Sequence, residues 1–206
     1  MKLLGKRNRK LKKTADKLGV RIFNWSIPAY KSKTGRFTCP FAKDCVKYCY
    51  AQKGAYAWSN TKEALEKRYE ASKADDFVDQ IVEEIGKIRD DGRQIYIRVH
   101  DSGDFYSKSY LWKWIEIAER LPHVRFYGYT KSHDLLRDYS TPENMNFVFS
   151  LGSTIDDKVN IDTERHARIF NTEEELVEAG YTNASEFDLY ATKWYSPSNK
   201  VGLILH

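Results

Sequence analysis

The sequence has no cysteine outside one eleven-residue window, no apolar run longer than a few residues, no low-complexity stretch and no recognisable linker. Each shortage excludes something. A secreted disulfide scaffold needs cysteines that can all pair, and three clustered thiols cannot. A membrane helix needs roughly 18 or more apolar residues, and this chain offers none while carrying 31% charged residues at a mean hydropathy of −0.66. No membrane contact is expected. The basic N-terminus lacks the apolar core and small-residue cleavage site of a secretory signal, so the expected location is the cytoplasm. What is present, 206 residues with 41% hydrophobic content, suffices for a packed core.

The formal charge of +5 is unevenly placed, because residues 1–21 hold nine Lys and Arg against one acidic residue, leaving −3 for the rest. The expected organisation is a basic tail over 1–21 followed by one domain over 22–206. Such a tail is attracted to phosphate backbones without reading sequence, which makes nucleic acid a candidate partner; a solvated, solubilising tail is the plainer reading.

Beyond the tail, strand and helix patterns alternate. Residues 21–27 alternate up to Pro28 as a strand, 31–60 form a long loop, and a helical stretch capped by Thr61 runs to Asp91-Gly92 with a break near Ala74-Asp75. Strands are predicted over 94–100, 124–129, 146–150, 166–170 and 201–205, with helices over 107–121, 132–139 and 172–180 between them. Repeated βα units imply a parallel sheet. About six strands are too few for a full barrel of about 250 residues, so the expected fold is α/β, a partial (β/α) barrel with a cysteine loop after the first strand; an open doubly wound sheet also fits.

In either architecture functional groups gather at the C-terminal strand ends. Those ends are the cysteine loop, His100-Asp101-Ser102-Gly103-Asp104, Thr130-Lys131-Ser132 and Ser150-Leu151-Gly152-Ser153. The loop reads Cys39-x5-Cys45-x3-Cys49. Thiolates this close can hold one polynuclear centre, so a [4Fe-4S] cluster on Cys39, Cys45 and Cys49 is expected, with one iron left open to a small-molecule ligand. Structural zinc is the alternative; it would require a fourth protein ligand, which His100 could supply only through the fold. Asp104 is the candidate ligand-binding carboxylate or else a helix N-terminal acid, and Lys131 is a candidate anion partner or a solvated cation. Gly152 and Ser153 are candidate backbone donors. Of Trp112 and Trp114, two apart on a helix, one is expected in the core and one on the surface.

Two family resemblances rest on these residues. A three-cysteine loop after the first strand of a partial barrel, with Tyr48 as an aromatic just before the last cysteine, is similar to radical S-adenosylmethionine (SAM) enzymes, although their usual spacing is C-x3-C-x2-C. That resemblance implies SAM as a second cofactor, with Ser102, Gly103 and Asp104 in the turn that holds its amino group and Lys131 nearby. Closer is the likeness to a family of phage and mobile-element proteins named for gene product 88, carried by Cys39-Pro40, Cys45, Cys49-Tyr50-Ala51, Gly54, Arg98 to Phe105, Tyr129 to Ser132 and Leu205-His206. It implies a shared cysteine site and, for a phage-encoded protein, the host cytoplasm; it brings no established substrate. A cluster- or zinc-stabilised nucleic-acid-binding module is the non-enzymatic alternative.

Overall fold

The computed structural model describes residues 2–5 and 8–205; Met1, Lys6 and Arg7 of the expected tail and the terminal His206 lie outside the described residues. Among the described residues seven strands pair in parallel throughout: β1 (Arg21–Trp25), β2 (Ile95–Val99), β3 (Arg125–Thr130), β4 (Met145–Ser150), β5 (His166–Phe170), β6 (Thr182–Asn183) and β7 (Lys200–Ile204). Their order is β1-β2-β3-β4-β5-β7-β6, and the sheet curls into a half-barrel. The expected partial barrel is present with one strand more than predicted, because two-residue β6 is too short to show an alternating pattern.

The convex face is covered by α2 (Ser59–Lys73), α3 (Phe77–Gly86), α4 (Lys108–Arg120) and α5 (His133–Arg137). Trp25, Ile97, Val99, Phe126 and Phe147 point outward from the strands into this layer and meet Phe77, Tyr110 and Trp114. The helical stretch expected over 61–91 is two helices that part at Ala74, and the first begins at Ser59 with Trp58 in the cap position rather than at Thr61. Trp114 is fully buried, while Trp112 lies half exposed against Tyr139.

Over β1 to β3 the inner face is covered by a helix from the segment expected to be a tail. Residues Arg9–Leu18 form α1, begun by the Asn8 side chain accepting from Leu11 N–H at 2.8 Å and closed by Gly19 at φ 65°. Leu11, Thr14 and Ala15 lie on one stripe of α1 and are buried, so the apolar spacing, and not the charge, decides the conformation; Leu3 and Leu4 are buried instead in the outer helix layer, where Glu84 of α3 accepts from both of their N–H groups. α1 is therefore packed into the α/β body. With Ile22, Tyr96, Tyr127 and Leu189 it forms a second core inside the half-barrel. Asn8 also donates to both oxygens of Asp101 at 3.0 and 2.9 Å. Asn8→Ala should cost about 1–2 kcal/mol in urea denaturation from the lost cap and a thinned Asp101 network; an unchanged midpoint would show that α1 is held by its apolar stripe alone.

Candidate functional site

Because all strands run parallel, their C-terminal ends share one edge, and the cysteine loop is stitched across it. Ile27 and Ser102 exchange two bonds, Ile27 N–H to Ser102 O at 3.1 Å and Ser102 Oγ to Ile27 O at 2.9 Å. Asp104 N–H reaches Thr38 O at 3.0 Å, Thr154 N–H reaches Phe41 O at 3.0 Å, and Ala42 bridges Ser153. Tyr50 donates to Asp101 O, and Tyr56 to Asp101 Oδ2 at 2.8 Å. Residues 38–56 thus lie over the ends of β1, β2 and β4, shaped by three short 3-10 turns.

Within this lid Cys39, Cys45 and Cys49 are free, partly buried thiols. Burial raises all three pKa values, and the neighbouring thiols add to the rise at Cys39. Lys131 opposes it at Cys45 and Cys49, and Tyr30 N–H donates to Cys39 Sγ at 3.3 Å. Burial thus favours the neutral thiols, and thiolates here would need a compensating positive charge. Among the described residues no group of three or more His, Cys, Asp or Glu is set to hold a metal ion. A mononuclear site needs its ligands to converge on one point, whereas the thiolates of a polynuclear cluster bind different irons. The donor set, all thiol with an N–H···S bond and an ammonium beside it, fits an iron–sulfur centre by its chemistry.

The other strand ends supply the surroundings. Asp104 is buried and accepts from Phe105 N–H at 2.7 Å, Thr130 Oγ1 at 2.6 Å and Lys131 N–H at 2.8 Å, which ties β2 to β3 and leaves about one acceptor position free. Burial pushes its pKa up to about 6 against these bonds. Lys131 Nζ donates to Ser150 Oγ and Leu151 O, each at 2.7 Å, and burial lowers its pKa. Gly152 lies between groups of the site: a Cβ there would be 3.7 Å from Tyr48 Oη and 3.8 Å from Lys131 Nζ.

Several expectations change. The backbone N–H groups of Gly152 and Ser153 are not offered to a cofactor; both donate to the Asp156 carboxylate, at 2.7 and 2.9 Å. Ser102 and Gly103 shape the turn that delivers Asp104: the Ser102 hydroxyl and carbonyl are bonded to Ile27, and Gly103, at φ 84°, packs against the Ile27 side chain. His100 takes φ 61°, turning its ring into the aromatic core against Phe105 and Tyr110, where burial and Arg98 lower its pKa to about 3. It is a neutral packing residue and not a fourth ligand. Asp101, expected at this strand end, turns out to gather Asn8, Asn24 and Tyr56, partners no sequence pattern announced, and Arg98 forms a buried ion pair with Asp188, which the sequence did not single out. Arg98 did leave a signal: a lone cation inside Ile95-Tyr96-Ile97-Arg98-Val99 requires a buried partner.

Fold and site together define a parallel half-barrel α/β protein with a three-thiol lid over its strand ends. The Gene product 88 family matches residues 2–204, and the chain belongs to that family. Comparison with curated proteins and with solved structures returns no match. Among the described residues no helix is long and apolar enough to cross a membrane.

Proposed function

We propose that the chain binds a [4Fe-4S] cluster through Cys39, Cys45 and Cys49 and presents its fourth iron to a small molecule at the mouth of the half-barrel. The observation that carries this reading is the gathering of three free thiols by one lid, beside the buried ammonium of Lys131. A cluster with an open iron supplies a Lewis-acidic, one-electron centre. Lys131 offsets the charge of the thiolates, and its bonds to Ser150 and Leu151 fix it at the end of β4. Asp104 holds Lys131 from the backbone side and keeps one acceptor position for a donor on the ligand. That position suits an ammonium such as the amino group of SAM, the candidate ligand.

Protein purified without oxygen should contain iron and acid-labile sulfide in comparable amounts. Cys45→Ala should lose both, because two thiolates are too few to retain the cluster. Stoichiometric zinc without sulfide would overturn the reading. SAM should alter the EPR spectrum of the reduced cluster, and Asp104→Ala should weaken that response about ten- to hundredfold in affinity, the scale of one charge-assisted hydrogen bond. An unchanged spectrum at saturating SAM would leave the open iron to a different ligand.

A further inference from the structure

Exposed cations and aromatic rings without an assigned role gather on the rim made by residues 31–67, the thiol lid and the segments that flank it. This segment holds eight Lys and Arg against three acidic residues, a charge of +5. It also exposes Phe37, Tyr50 and Trp58 by 49, 56 and 63%. Beside them runs a groove of about 830 Å³ between the Pro28 to Lys33 segment and α2, lined by Lys31, Lys33, Lys62 and Lys67. Two of the three acids lie in the groove, and Glu66 already accepts from Lys33 N–H at 2.5 Å. Asp44 is 3.7 Å from Lys47. Lys31 Nζ sits 4.5 Å from the Phe37 ring centre, so cation and aromatic face are already side by side. The fold adds a second basic element: Asn8, which begins α1, and Tyr56 of the rim meet on the Asp101 carboxylate. Exposed Arg9 and Lys12 of α1 therefore follow directly from the point where the rim is anchored.

We propose that this rim is a docking surface for single-stranded nucleic acid, with phosphates along the groove lysines and bases stacked on the exposed rings of Trp58 and Phe37. Cations alone would suit any polyanion. Exposed aromatic faces interleaved with them select a strand whose bases are unstacked, because a duplex hides its base faces. The groove lysines and Trp58 lie outside the lid residues 38–56, and the proposal places nucleic-acid contact on folded chain and not on a loose tail.

The test is fluorescence anisotropy of the full-length, anaerobically purified protein with labelled oligothymidylate, oligouridylate and a mixed-sequence duplex over a salt series, with iron content measured on the same samples. Both single strands should bind more tightly than the duplex, and the tighter of the two assigns the sugar. Trp58→Ala, which truncates an exposed side chain, should weaken binding about five- to hundredfold, the range of one lost base stack. Replacing Lys33 and Lys62 by Gln should flatten the slope of log affinity against log salt by about 1.4, two contacts at about 0.7 each for single strands. Absence of binding at low salt, a duplex bound as tightly as the single strands, or unchanged affinity in Trp58→Ala would overturn the proposal. None of these outcomes depends on whether iron is present.

Discussion

Asp188→Ala should lower the stability of the protein by about 3–5 kcal/mol, read as the denaturation midpoint, because it leaves the Arg98 guanidinium buried without its counter-charge. Arg98 and Asp188 are both almost fully buried, and Lys10 of α1 adds a second cation 2.9 Å from Asp188 Oδ1. Arg98 also lies over the Tyr129 ring at 4.6 Å. Burial alone would raise the Asp188 pKa; Arg98 and Lys10 outweigh it and hold the carboxyl well below the usual carboxylate range. A carboxyl depressed in the folded state stabilises fully above its unfolded pKa of about 3.9 and loses that contribution as pH falls towards the folded value. Wild-type stability should therefore drop below about pH 4, and the drop should shrink in Asp188→Ala. Equal midpoints for the two proteins at pH 7 would show that water reaches Arg98.

Gly103→Ala should destabilise by about 2–5 kcal/mol, combining overpacking with a left-handed backbone at a residue that acquires a Cβ. Gly103 has φ 84°, and a Cβ there would lie 2.2 Å from Ile27 Cγ1 and 3.2 Å from Ile27 O. Ile27 cannot retreat easily, since its own backbone is bonded in both directions to Ser102. The strain would pass to Asp104, whose N–H holds Thr38 beside Cys39, so under the cluster proposal iron content should fall along with stability. Gly19 provides the control: φ is 65° there, but a Cβ would meet nothing within 4 Å, and Gly19→Ala should cost only about 1–2 kcal/mol. Equal losses at the two positions would mean that backbone conformation, and not the contact with Ile27, dominates.

Local signals in the chain determined most of the scaffold. Alternation in β2, the apolar spacing of α4 and the recurrence of strand and helix were sufficient for a parallel partial barrel, because each pattern is written within a few residues of itself. Parallel strands put every C-terminal end on one side, whatever the details of packing, so the place of Cys39, Cys45 and Cys49 at that edge was legible too. Contacts between distant segments were decided only in the tertiary structure. Residues 2–20 read as charge along the chain, and only the inner face of the half-barrel, which needs an apolar stripe to fill it, turns Leu11 and Ala15 into core. Arg98 meets Asp188 across ninety positions, and Asp101 gathers residues 8, 24 and 56; no periodicity encodes such pairings. The division has one physical cause. Secondary structure follows from steric and apolar patterns at short range, whereas a buried polar group takes whichever partner the closed fold brings within about 3 Å, and that partner can lie anywhere in the sequence.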